Sequence, residues 1–275
     1  HETVYDARGD PVIEDVLKCA VEDLAKEEGV PSMKSTRKYV PVKTGDQSFY
    51  GIGIPSGRAA TTVSPDVLSK LPYRYNWWYH AEEDTLDKGD PEALYMANKA
   101  QVLVLLRLCT VPVLPYKVTR VGEWMVDNLK QLSSKGKDAF DLSDLVEKAE
   151  AFKMHAKRLD ETAGQLRETC LSKAGDESLE RKAESVNQGL LKICRTLNPI
   201  NYTLRGKYEQ DYYGAEYVKP IPVLQPISQL TTLNPDSSEY KALRTKIIRA
   251  RNMVSDALEE ATWFTRFTTA SVEHT

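Results

Sequence analysis

Histidine and cysteine, the side chains that bind transition metals most readily, are scarce: four of each in 275 positions. Cys19, Cys109, Cys170 and Cys194 lie far apart, with no CxxC pair and no Cys/His ligand pattern, which argues against a zinc finger. Each falls in a stretch that reads as helical and partly apolar, so the expectation is four reduced, buried thiols. A charge excess is lacking too. Lys and Arg total 37 against 40 Asp and Glu, which argues against a nucleic-acid or membrane-surface binder driven by bulk charge. No run reaches the roughly 20 apolar residues of a membrane span. The best candidate, QVLVLLRLCTVPVLP, is broken by Arg107, Pro112 and Pro115, and reads as a buried core helix ending in a proline turn. There is no internal repeat, no low-complexity tract and no signal-peptide pattern. The chain opens on His1 rather than Met, and is expected to be mature, trimmed or the later part of something longer. The sequence assigns no compartment.

What is present is the composition of a folded chain: 41% hydrophobic and 28% charged residues leave little room for disorder. Residues 11 to 28 show apolar positions at helical spacing. Asp10 is the expected cap, Pro11 the first helical residue and Gly29 the stop. The segment YVPVKTGDQSFYGIGIPSGRAATTV carries β-branched runs at 39–42 and 59–63 between glycines, and reads as two strands with a tight connection. From Asp90, a cap followed by Pro91, the chain turns helical. Amphipathic patterns at 118–132, 142–172, 178–196 and 238–267 predict antiparallel helices of a bundle. Between the last two, 197–236 is irregular, rich in proline and tyrosine, and reads as a functional or interface loop. The fold expectation is therefore α/β over 1–115, the end of a mixed-sheet domain, followed by an α-helical bundle over 116–275.

The densest aromatic stretch is YRYNWWYHAEEDT, residues 73–85, in which His80 is followed by Glu82, Glu83 and Asp84. Residue types alone leave two readings. The imidazole packs on aromatics at a strand end while the acids open a solvated helix, or it is a metal ligand with carboxylates near enough to orient it. The order of elements adds to this. An acidic residue sits in the glycine turn TGDQSF. GIGIPSGRA follows, YH comes about twenty residues later, and then EEDTLDKGDPE leads into a long apolar helix.

That series resembles the co-catalytic zinc aminopeptidase superfamily, which includes glutamate carboxypeptidase and the transferrin receptor. There a GIP/GIASGRA strand precedes a YH or HT pair whose histidine is the last zinc ligand, and HxxEDTLDKxDPE is a common continuation. The match is specific over roughly residues 40–110 and weaker but continuous beyond. The helices from 118 onward resemble the family's helical dimerisation domain. The resemblance implies a two-zinc peptidase or amidase fold in which His80 is a terminal zinc ligand. A downstream carboxylate such as Asp84 would fix the ring from behind, and Tyr79 would hydrogen-bond the tetrahedral intermediate. Arg58 of SGRA would line the substrate cleft. Asp46 stands where aminopeptidases carry an acidic SDH motif. On residue type alone, Tyr79 also fits a core aromatic and Arg58 a surface or capping arginine.

Departures from the family pattern matter equally. A two-zinc site needs a His, a bridging Asp, a Glu general base and further acidic ligands upstream. Here only the final His is present, because His1, His155 and His274 lie at a terminus, on a charged helix and in the tail. One imidazole does not hold a catalytic zinc, so the remaining ligands are expected from an upstream segment or a separate chain. Cobalt, manganese or iron suit such a site as well as zinc. Gln47 replaces the histidine of the SDH motif. The NKYAGESFPG-like glutamate loop is absent. Its counterpart here, YYGAEYVKPIPVLQPISQL, offers Tyr212, Tyr213 and Tyr217 for an apolar or aromatic pocket or for packing the loop, with Lys219 nearby. Two functions are thus expected. One is a hydrolase part acting on a peptide or small amide, dimeric through its helical domain. The alternative is a catalytically silent, transferrin-receptor-like interaction protein.

Overall fold

The computed structural model describes residues 3–32, 42–43, 47–70 and 77–273. The protein is mostly helical, about 68%, with short antiparallel strand pairs. It divides into two compact units, 1–39 with 57–110 and 40–56 with 111–275. The segment 40–56, read from sequence as part of the first domain, thus belongs with the second.

In the first unit β1 (Thr3–Gly9) pairs antiparallel with β3 (Gly57–Val63), Asp6 opposite Ala60 and Arg8 opposite Arg58. The sequence reading missed β1, because Val4, Tyr5, Asp6 and Ala7 are all buried and the strand shows no polar alternation. Helix α1 (Glu14–Glu28) begins later than expected. Asp10 caps a turn, its carboxylate accepting from Val12 N at 3.2 Å, and the helix proper follows Ile13. Gly29 ends it with φ 66°, the left-handed conformation that glycine adopts without a Cβ clash.

Helix α4 (Pro91–Cys109) starts on the expected cap, with Asp90 Oδ1 accepting from Glu92 N at 2.9 Å and Ala93 N at 3.3 Å. It packs on β3 and α1. Lys99 reaches Glu28 at 2.8 Å, and Glu28 also accepts the Tyr5 hydroxyl at 2.5 Å, so one carboxylate ties three elements together. The Lys99 and Tyr5 bonds hold Glu28 below the usual carboxylate range. However, α4 is not the buried core helix expected from its sequence. Only Ala100 and Val104 are buried, while Leu94, Tyr95, Val102, Leu105 and Leu106 are each more than half exposed. Among the described residues of the first unit, nothing covers that face of the helix.

The second unit is built on a spacing. Buried positions on helix α6 (Ser143–Ser172) fall at Leu145, Ala149, Phe152, Ala156, Leu159, Ala163, Leu166 and Cys170, alternating steps of four and three. Helix α7 (Glu177–Tyr202) repeats the pattern with Ala183, Val186, Leu190, Ile193 and Leu197. That repeat keeps one seam against a neighbouring helix. Helix α8 (Ser238–Glu273) packs on both α6 and α7, and α5 (Val118–Gly136) packs on α6.

Buried polar groups fix the ends. Asp160 of α6 accepts from Val118 N at 2.9 Å and Thr119 N at 3.0 Å, capping α5 from another helix. The Arg167 guanidinium donates to the carbonyls of Val113 and Leu114, both at 2.9 Å. Asn187 accepts from Leu114 N and donates to the Pro112 carbonyl. The expected loop 197–236 is shorter than read. α7 continues through Pro199 to Tyr202, β4 (Gly214–Tyr217) pairs with β2 (Val42–Lys43), and Pro222–Thr231 is a 3-10 stretch.

A short helix, α2 (Gln47–Gly51), and the turn after it dock on α7. Tyr50 is buried against Tyr202, ring centroids 4.6 Å apart, and Asn198 Nδ2 donates to the Gly53 carbonyl at 3.4 Å. Gly53 has φ 88°, and a Cβ there would lie 2.3 Å from Arg195 Cα, so only glycine allows this approach. Of the cysteines, Cys170 and Cys194 are buried as expected, but Cys19 and Cys109 are exposed; all four are free thiols. Among the described residues no helix is long and apolar enough to cross a membrane.

Candidate functional site

Residues 77–85 form a succession of tight turns on the first unit. Ala81 N donates to the Trp78 carbonyl at 2.9 Å, Asp84 N to Ala81 at 3.1 Å and Thr85 N to Glu83 at 2.9 Å. Within them His80 has φ 65°. A non-glycine residue there carries a strain of about 1–2 kcal/mol. The His80 backbone N–H donates to Asp84 Oδ2 at 3.2 Å, which holds the strained turn. Asp84 therefore orders the main chain of His80, where the resemblance implied a partner for its ring.

The imidazole is exposed and lies parallel to the Tyr79 ring, centroids 4.0 Å apart and planes 23° off. Phenol and imidazole are thus presented side by side toward solvent, with Tyr79 50% exposed. Trp77 meets Trp78 edge-on at 5.8 Å and is itself 67% exposed. Among the described residues, Trp77 and Trp78 leave the turn open to solvent. Thr85 Oγ1 and Lys88 Nζ both contact Asp87, which leads the chain toward the Asp90 cap of α4.

The other expected residues are dispersed. Arg58 is exposed on β3, directly across from Arg8. Arg8 in turn reaches the fully buried Asp6 at 2.7 Å, an ion pair that the sequence reading did not anticipate. Asp6 sits within the apolar run of β1 and gives no sequence signal of its own. Tyr213 lies in the second unit and is 78% exposed. Its neighbour Tyr212 is covered by the Arg205 guanidinium at 4.5 Å from the ring centroid. Asp46 lies outside the described residues.

Among the described residues, no three His, Cys, Asp or Glu side chains converge to hold a metal ion. Open cavities on the second unit include the following two. One, about 340 Å³, is lined by Ile52, Lys192, Arg195, Lys207 and Phe264. The larger, about 540 Å³, lies between α6 and α8 and includes His155, Arg158, Trp263 and Arg266. Sequence reading set His155 aside as a residue of a charged helix. The one available signal was Trp263, Arg266, Phe267 and Ala270 recurring at three- and four-residue steps along one face of α8. No family model matches the chain.

Proposed function

We propose that this chain is the C-terminal part, or a subunit, of a metal-dependent peptidase or amidase, most simply a two-zinc enzyme, of the aminopeptidase and glutamate carboxypeptidase superfamily. The observation that carries the reading is the turn at His80. Its strained backbone, pinned by Asp84, holds an imidazole in the open beside a parallel phenol. Strain of this kind persists where a side chain must be aimed. His80 supplies one metal ligand, and the rest come from an upstream segment or a partner chain. The exposed apolar face of α4 is the kind of surface such a polypeptide would cover. The first unit is then the end of a mixed-sheet α/β domain, and the helical unit mediates a homodimer.

The metal, zinc or another divalent ion, would act as a Lewis acid and lower the pKa of bound water. Of this chain's own residues, His80 holds position, Tyr79 donates its hydroxyl to the developing oxyanion, and Asp84 keeps the turn in place. Arg58, on the same unit, contributes to recognition of a peptide or small amide, in line with the resemblance. The test is dipeptide hydrolysis by this chain co-expressed with polypeptide carrying the missing ligands. Chelator abolishes the activity and zinc restores it. Tyr79→Phe lowers kcat by about 10²–10³-fold while KM and metal content hold. Unchanged kcat in Tyr79→Phe removes the phenol from the mechanism, and hydrolysis that survives chelation removes the metal.

The second reading is a catalytically silent, transferrin-receptor-like interaction protein. It is favoured by the exposure of Met154 and Trp263, each more than half, on the helical unit. A complete assembly that dimerises, binds no metal and cleaves none of the dipeptides establishes it.

A further inference from the structure

The cavity between the middle of α6 and the last turns of α8 has the composition of a ligand site. Trp263 and Phe267, one helical turn apart, stack at 5.2 Å with planes 12° off, yet are 58% and 60% exposed. Stacked on one another, the two rings leave an apolar shelf of ring edges and outer face open toward the cavity. Four titratable groups face the cavity: His155 and Arg158 from α6, and Arg266 and Glu273 from α8. Glu273 is engaged by Arg158, its two oxygens accepting from Nε at 3.0 Å and Nη2 at 2.7 Å. Arg266 meets no carboxylate among the described residues. Two guanidiniums therefore face one carboxylate. The excess is felt locally: burial first, then Arg266 and Arg158, hold the His155 imidazole below its ordinary pKa. Exposed aromatic surface and a guanidinium without a carboxylate partner, lining one cavity, match an aromatic anion.

We propose that this cavity binds an aromatic carboxylate, its ring on Trp263 and Phe267 and its two oxygens on the guanidinium of Arg266. Guanidinium matches carboxylate in a two-bond fork, and cation and shelf together select against neutral aromatics and non-aromatic anions alike. The inference is independent of the metallopeptidase reading, since it uses no residue of that site.

The test uses 2-naphthoate and its neutral isostere 2-naphthalenemethanol with the full chain, by calorimetry and by the ring signals of His155 in NMR. One naphthoate binds per chain, about tenfold or more tighter than the alcohol, more weakly at high salt, and shifts the His155 signals. Arg266→Ala and Trp263→Ala each weaken it about tenfold, whereas Arg181→Ala, an exposed arginine on α7, has no effect. All three positions are solvent-exposed, and unchanged melting curves verify folding. Equal affinity for the alcohol overturns the proposal, as does full affinity in Arg266→Ala. So does sedimentation showing a dimer that Trp263→Ala dissociates, because the shelf then belongs to a second copy.

Discussion

Removing the carboxylate of Asp160 should weaken the helical unit at its α5–α6 seam. Asp160 is 8% exposed and accepts from the first two amides of α5, on Val118 and Thr119, at 2.9 and 3.0 Å. Asp160→Ala leaves two donors at a helix start with Val118 fully buried. An unsatisfied buried donor costs about 1–3 kcal/mol, and some water enters the space left behind, so the net loss is about 2–4 kcal/mol. For a unit of this size that lowers Tm by roughly 5–12 °C.

Asp160→Asn keeps an acceptor oxygen and removes the charge, and should stay within about 1 kcal/mol of the parent. Burial raises the Asp160 pKa above the ordinary carboxyl value despite the amide bonds. The folded state therefore keeps its proton to higher pH than the unfolded chain. Stability from this group is full below the unfolded pKa and declines as pH rises through the raised value. Asp160→Asn abolishes that slope. Urea denaturation followed by circular dichroism, at several pH values, measures all of this. An Asp160→Ala variant within 0.5 kcal/mol of the parent, or an Asn variant as damaged as Ala, would refute the reasoning.

Further expectations concern the first unit and the docked turn. Arg8→Met strands the fully buried Asp6, while Asp6→Asn leaves Arg8 a path to solvent. The first should cost about 2–4 kcal/mol and the second clearly less, read by hydrogen exchange at β1 amides, with equal losses counting against a buried pair. Gly53→Ala adds a Cβ 2.3 Å from Arg195 Cα at φ 88°, and should detach the 47–54 segment from α7. Partial proteolysis at this segment detects the release, and a resistant variant contradicts the packing. His80→Gly relieves a left-handed turn and His80→Ala does not. The Gly variant should be the more stable of the two by up to about 1 kcal/mol in thermal melts. The reverse order would mean that the turn is not strained.

Much of the helical unit was legible because its core repeats. Leu145, Ala149, Phe152 and Ala156 recur at a spacing that only one helical face satisfies, and the Asp90–Pro91 and Gly29 signals are local. What was not legible depends on partners distant in sequence. Strand β1 hides its alternation because both faces are covered, and Asp160 caps a helix 42 residues earlier. α7 passes through Pro199 because Leu197 to Tyr202 are all buried, and packing there outweighs one lost backbone bond. The exposure of α4 misled in the opposite direction, since hydrophobicity marks a surface for burial without naming what buries it. At the candidate site the motif indicated His80, Tyr79 and Asp84. The left-handed turn and the role of Asp84 on the main chain are matters of conformation, which residue identity does not encode at a non-glycine position.

The most direct measurement is the metal content of the completed assembly, with and without the imidazole at position 80. The account predicts about two zinc ions per copy in the parent. His80→Ala should lose one or both, while Tyr79→Phe keeps them. An assembly free of metal, or one whose full metal complement survives His80→Ala, would contradict it.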